Sequence, residues 1–360
     1  MPASTIYLSM HRIENYNQKL KIIKKIENMK NLMLTVLVLF VIVACNQPVN
    51  KSNVNKENKT EISTAHSTNR YNKKTNATIA YKKINIDGVN VAYREAGNPN
   101  NPTIVLLHGF PASSHQYRKV LTQLSDEFHL VAPDYPGFGN SDFPSKKEYT
   151  YTFDNLAKTI NTFLEKKGLT SYALMIQDYG APIGFRIATA HPERVLGIIN
   201  QNGNAYEEGL GEAWAGIRAL WANRNADTEA ACLPAFSLEG LEWQYTHGTR
   251  NKENVNPDNW NLDYLRLSRP GAHEVNIDLF YDYQNNLTLY PKWQKYLRDN
   301  QPPLLIVWGK NDLFFPESGA VAFKKDVKNI DYNIYNTGHF ALEEDGNEII
   351  QKMRTFVRKL

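Results

Sequence analysis

Cysteine is almost missing from this chain: Cys45 and Cys232 are the two in 360 residues. Two thiols cannot make a disulfide framework, and no Cys/His grouping has the spacing of zinc ligands. An excess of one charge sign is lacking too. The formal net charge is +4 and no arginine-rich stripe accompanies it, which argues against nucleic acid as a partner. No apolar run reaches the ~20 residues that a membrane-spanning helix needs, and no internal repeat is present. What remains is an ordinary globular balance, 42% hydrophobic and 22% charged. That excludes a fibrous or wholly disordered protein. The length suits one large α/β domain carrying an insertion.

The N-terminal part reads as targeting rather than fold. Met29 and Lys30 open "MKNLMLTVLVLFVIVAC", a basic start followed by an apolar run from Leu32 to Ala44. That length suits a secretory signal. The run ends in Ile42-Val43-Ala44-Cys45, which resembles a bacterial lipoprotein signal, where a small residue precedes the cysteine that is acylated. The resemblance implies lipidation at Cys45 and an exported protein held to a membrane of a bacterial cell envelope; an uncleaved anchor or a buried helix is the plainer alternative. Residues 1–28 are expected to be an over-extended start, 29–44 the signal peptide, and 45–75 the lipidated cysteine plus a polar tether. The tether is rich in Asn, Lys, Ser and Thr and cannot bury a core.

From Ile79 the pattern changes. "INIDGVNVAYREAG" alternates around Asp87-Gly88, a hairpin signal. Short apolar runs ending in turn residues follow: "TIVLLHG", "FHLVAPDYPG", "YALMIQDYG", "VLGIINQNG", "PLLIVWG" and "DYNIYNTG". Between them lie stretches of helical period, such as "FDNLAKTINTFLEKKG", in which Leu156, Ile160 and Leu164 share a face. Continuous apolar strands alternating with helices predict a mostly parallel sheet covered on both sides. Its functional groups should gather past the carboxyl ends of the strands. One interval of about a hundred residues carries no strand signal and is too long for a loop. The expected division is therefore a core of 76–204 and 302–360 with a helical cap at 205–301. The cap is rich in rings: Trp214, Trp221, Trp243, Tyr245, Trp260, Tyr264, Tyr281, Tyr283 and Tyr290.

Three strand ends carry titratable groups. In "IQDYGAPIG" the strand runs straight into Asp178, and Gly180 and Gly184 follow. This is the pattern of a nucleophile elbow without its serine; an Asp that merely caps the next helix is the plainer alternative. "LIVWGKNDLFFP" puts Asp312 in a turn after a strand, and "IYNTGHFALEED" does the same for His339. Nucleophile, acid, histidine is the chain order of an α/β-hydrolase triad, with the acid holding the imidazole tautomer. In "LLHGFPASSHQYR", Gly109 allows a tight turn that aims the Phe110 amide at the site. With the Tyr179 amide it would form an oxyanion hole. His108 reads as a buried structural histidine, and Asp134, Gly137 and Gly139 as a tight structural loop.

Together, His108-Gly-Phe-Pro111, Asp134-x-x-Gly-x-Gly139, Gln177-Asp-Tyr-Gly180, Trp308-Gly-x-x-Asp312 and Gly338-His339 resemble the α/β-hydrolase superfamily, in its branch of epoxide hydrolases and haloalkane dehalogenases. The resemblance runs from about Ile84 to Leu360. It implies the α/β-hydrolase fold with an inserted helical cap, Asp178 as nucleophile, His339 as base, Asp312 as its partner, and no metal or cofactor. A carboxylate needs no base to attack saturated carbon, so a small apolar electrophile and water are the implied reactants, joined through a covalent alkyl ester. Haloalkane dehalogenases hold the halide with a Trp after the nucleophile and often an Asn in the HGNP loop; here Tyr179 and Phe110 stand at those places. An aromatic third residue in HGFP is similar to epoxide hydrolases, which use two cap tyrosines as ring-opening acids. "FYDYQNN" resembles their last cap helix and points to Tyr283, while Tyr245 in "WQYTHG" is the candidate for the other. Epoxide hydrolysis to a diol is therefore the expected reaction and dehalogenation the alternative. An ester or lactone hydrolase and a catalytically silent binding protein are further alternatives.

Overall fold

The computed structural model describes residues 78–360. The expected over-extended start, the signal peptide, the Cys45 lipidation site and the whole of the tether lie outside the described residues. The sheet begins with β1 (Ala80–Ile86) and β2 (Val89–Ala96), an antiparallel hairpin closed at Asp87-Gly88 with Ile86 opposite Val89. Six further strands complete it: β3 (Thr103–Leu107), β4 (His129–Pro133), β5 (Tyr172–Gln177), β6 (Val195–Gln201), β7 (Leu304–Gly309) and β8 (Ile330–Tyr335). The strand order is β1-β2-β4-β3-β5-β6-β7-β8. Beyond the antiparallel pairs at β2, every neighbour runs parallel. Each run singled out for its apolar residues is a strand.

Those runs are continuous because both sheet faces are covered. Along β5, Leu174 and Ile176 enter one apolar cluster while Ala173 and Met175 enter the other. β3 divides in the same way, with Val105 and Leu107 on one side and Ile104 and Leu106 on the other. The helices supply the matching faces. α1 (Arg118–Leu124) presents Val120, Leu121 and Leu124 to the second cluster. α2 (Phe153–Lys166), capped by Thr152 through the Asn155 amide, presents Leu156, Ile160 and Leu164 to the first. α3 (Gly180–Ala190) adds Ile183 and Phe185.

Between β6 and β7 the described residues form no strand. The helices there are α4 (Ala215–Ala222), α5 (Ala226–Cys232), α6 (Leu238–Thr246), α7 (Asp258–Leu267), α8 (Ala272–Asp282) and α9 (Gln284–Asn300), linked by short 3₁₀ turns. Their apolar residues join the cluster on the α2/α3 face of the sheet: Trp293 of α9 stacks on Phe185 of α3, with ring centroids 5.5 Å apart. The insert and the sheet thus share one core. The chain closes with α10 (Glu317–Ala322), α11 (Ala341–Glu344) and α12 (Gly346–Val357), the last packing Ile349, Ile350 and Met353 under the opposite face. Among the described residues, no helix is long and apolar enough to cross a membrane.

Candidate active site

The strand order reverses direction at β3, which lies between β4 and β5; ligand sites of such sheets form in the crevice beside that point. Parallel pairing sets Leu107 beside Ile176, so the loop after β3 and the turn after β5 face each other. Asp178 occupies that turn with φ near 50°, the left-handed region that a side chain visits only when its surroundings hold it there. Two glycines make the turn fit. A Cβ on Gly180 would lie 2.2 Å from the Leu107 carbonyl oxygen, and one on Gly109 would lie 2.2 Å from the Asp178 Cβ.

The Asp178 carboxylate is divided between two environments. Oδ1 accepts the amides of Phe110 and Tyr179, each at 2.6 Å. Oδ2 lies 3.8 Å from Nε2 of His339. His339 Nδ1 is 2.6 Å from Oδ2 of Asp312, and the three buried side chains come from the ends of β5, β7 and β8. The two amides expected to form an oxyanion hole are therefore already aimed at one oxygen, leaving the other free toward the histidine. Burial pushes the Asp178 carboxyl up to about 6, against the pull of His339 and the two amides. Burial disfavours a charged His339, but the Asp312 carboxylate, helped by Asp178, outweighs it and raises the imidazole pKa above its ordinary value.

Asp312 is itself clamped, by a residue that the sequence patterns did not single out. Asn202, at φ near 47° just past β6, donates to Asp312 Oδ2 at 2.9 Å. The same side chain bonds both backbone groups of Gly309, donating to the carbonyl and accepting from the amide. Oδ1 of Asp312 accepts the Phe314 amide at 2.8 Å. The signal for Asn202 was a polar residue at the next strand end, but nothing in a sequence says which loop it will brace. His108 and Asp134 are structural, as expected: His108 stacks on Tyr135 with centroids 4.0 Å apart, and Asp134 accepts the amides of Ser114 and Asn140.

A cavity of about 120 Å³ opens above Asp178 and His339. Its wall combines Phe110, Tyr179, Trp214, Phe280 and Phe314 with the small residues Ala213, Gly216, Ala231 and Ala235. Cys232 and Gln244 also reach it, and no lysine or arginine does. Two expected site residues are displaced from this wall. Tyr245 stacks on Phe340, centroids 3.8 Å apart, and its hydroxyl donates to the buried Asp263 at 2.6 Å, so it is committed to joining the cap to the loop after β8 and does not line the cavity. Tyr283 lies one layer behind, with its ring against Trp214, Phe153 and Tyr179. Of the cap rings named from the sequence, Trp214 alone lines the cavity. The physical reason is volume: both rings fill the seam between the insert and the sheet domain, Tyr245 against Phe340 and Tyr283 against Phe153 and Tyr179. Among the described residues, no group of three His, Cys, Asp or Glu side chains is placed to hold a metal ion.

A parallel sheet with an elbow at its centre, an acidic side chain there, and a histidine–aspartate pair across from it define a hydrolase of the α/β class. Residues 102–346 match the family described as alpha/beta hydrolase fold, and the chain belongs to that family. It is 43% identical over 274 residues to an uncharacterized hydrolase of Saccharomyces cerevisiae, covering 75% of this chain and 94% of that one. It is 26% identical over 289 residues to human epoxide hydrolase 4, covering 77% of each. A haloalkane dehalogenase of Bradyrhizobium diazoefficiens is 36% identical over 120 residues, 33% of this chain and 38% of that one. The chain is a hydrolase.

Proposed function

We propose that the protein opens a small, uncharged epoxide to a diol through an ester on Asp178. The observation that carries this reading is the split carboxylate: Oδ1 held by two amides, Oδ2 free at 3.8 Å from His339, both beneath an apolar cavity. Oδ2 attacks a ring carbon, the carbon–oxygen bond breaks, and the ring oxygen takes a proton. Tyr179 is the tyrosine on the cavity wall, and its hydroxyl, like that of Tyr283 behind it, has no hydrogen-bond partner; the proton is assigned to Tyr179 because its side chain borders the cavity, in place of Tyr283 and Tyr245. Water then attacks the ester carbon as His339, steadied by Asp312, takes its proton. The charge that develops on Oδ1 falls where the Phe110 and Tyr179 amides already point. Collapse breaks the Cγ–Oδ2 bond; the departing alkoxide takes the hydrogen left on the newly added oxygen, which releases the diol and restores the Asp178 carboxylate, and the proton on His339 returns to Tyr179.

The cavity supports a substrate of few heavy atoms, and the absence of a cation from its wall argues against a carboxylate-bearing one. Human epoxide hydrolase 4 is among the relatives, which supports the same reading. Carbon–halogen cleavage is the second reading. It needs no ring acid, and neither Tyr283 nor Tyr245 lines the cavity.

Replacing His339 by Gln should spare the first half-reaction and stall the second. Incubation of that variant with epoxides and haloalkanes is expected to add the mass of an epoxide to the peptide that contains Asp178. Labelling by haloalkanes alone would move the reading to dehalogenation. No label, with p-nitrophenyl ester cleavage by the unaltered protein, would refute the alkyl ester. Export and lipidation at Cys45 are proposed on the sequence from Met29 to Cys45; radiolabelled palmitate should enter the protein and fail to enter its Cys45→Ala variant.

A further inference from the structure

Gln177, the last residue of β5, is wholly buried beneath the elbow. Its amide nitrogen lies 2.7 Å from Nε2 of His339, the nitrogen that must take a proton from water. We propose that Gln177 is a positioning residue that caps Nε2 and keeps the His339 ring in its neutral Nδ1–H form. The proposal rests on the reading of His339 as the base.

The geometry fixes the protons in turn. Nδ1 faces Oδ2 of Asp312 at 2.6 Å, and an ionised carboxylate only accepts, so Nδ1 carries hydrogen. Nε2 then bears either a lone pair, in the neutral ring, or a second hydrogen, in the charged one. An amide at 2.7 Å serves one of these states at a time: its N–H suits the lone pair and its carbonyl suits the hydrogen. The other end of the amide decides between them. Oε1 of Gln177 lies toward Gly109 and accepts from Nε2 of Gln116 at 3.4 Å, which turns the N–H toward the ring.

That orientation opposes the rest of the site. The charged groups facing the ring are Asp178 and Asp312, both carboxylates; the aromatic rings packed against it are those of Phe314, Phe315 and Phe340. Two carboxylates favour the imidazolium, which cannot act as a base. A donor aimed at Nε2 is satisfied by the neutral ring and left facing a like donor by the charged one. Gln177 thus trims a protonation that the two acids would otherwise carry further, supports the tautomer that Asp312 sets, and gives up Nε2 to the attacking water in the second half-reaction.

The test is a titration of His339 by NMR in the full chain labelled with ¹⁵N-histidine, its signal identified by comparison with the His339→Gln variant. Gln177→Leu keeps the approximate shape without the donor, and Gln177→Glu replaces the donor with an acceptor. The His339 pKa is expected to rise by about one pH unit in Gln177→Leu, the scale of one ordinary hydrogen bond, and further in Gln177→Glu. The acid limb of ester hydrolysis should rise with it. An unchanged His339 pKa in both variants, with or without a lower melting temperature, would reduce Gln177 to a packing residue and overturn the proposal. Should Gln177→Leu not fold, Gln177→Met, which also lacks the donor and adds no charge, takes its place; an unchanged His339 pKa there overturns the proposal. No substrate is needed for the titration, so its failure is distinct from a failure to label Asp178.

Discussion

Asn202 is the residue on which the acid half of the site hangs, and removing its side chain has a calculable effect. The Asn202 amide makes three hydrogen bonds, to the Gly309 carbonyl, the Gly309 amide and Asp312, in a fully buried setting. Alanine would delete all three and leave the Gly309 N–H without a partner. At about 1 kcal/mol for each bond, the loss is roughly 3 kcal/mol. A further 1 kcal/mol or so arises because alanine lacks the local bonding that lets asparagine tolerate a left-handed backbone, and φ here is near 47°. Asn202→Ala should therefore cost about 4 kcal/mol. Asn202→Gly loses the same bonds without the backbone penalty, and should cost about 3 kcal/mol. Urea unfolding followed by tryptophan fluorescence measures both, provided the slopes with denaturant match. Turnover should fall in both variants, because Asp312 loses a donor while keeping His339. An alanine variant within about 1 kcal/mol of the parent, or a glycine variant less stable than the alanine one, would refute the reasoning.

Three further outcomes are expected. Burial pushes Asp178 up to about 6 from an ordinary 3.8, so the folded protein holds this proton more tightly than the unfolded chain. Its contribution to stability is largest below the unfolded value and declines as pH rises through about 6, at a cost of up to about 3 kcal/mol at neutral pH. Asp178→Asn should accordingly abolish turnover yet unfold later than the parent at pH 8, with the advantage vanishing near pH 4; equal unfolding at both pH values would refute this. Gly180→Ala would drive its Cβ into the Leu107 carbonyl and should lower the melting temperature by more than about 5 °C, which calorimetry would read. Ala231 is exposed and lines the cavity. Ala231→Phe should therefore narrow the opening, and kcat/KM for the largest accepted substrate should fall more than for the smallest.

The local code of this chain was direct wherever one element decided the outcome. Apolar runs of five to seven residues became the inner strands β3 to β7 because both faces of the sheet are covered there. Asp87-Gly88 made the hairpin, and Leu156, Ile160 and Leu164 marked the buried face of α2. The order of Asp178, Asp312 and His339, each in the turn after a strand, was enough to expect their meeting, since parallel strands deliver such turns to one edge. Three-dimensional packing decided the rest. Side-chain contacts across loops, as between Asn202 and Gly309 or Gln177 and His339, depend on sheet order, which no local spacing encodes. The cap was least legible. Tyr245 and Tyr283 had the right chemistry for a cavity wall, but which way a ring on a helix points is set by the neighbours it must pack against. Here those neighbours are Phe340 and Asp263 for one, and Trp214 and Phe153 for the other.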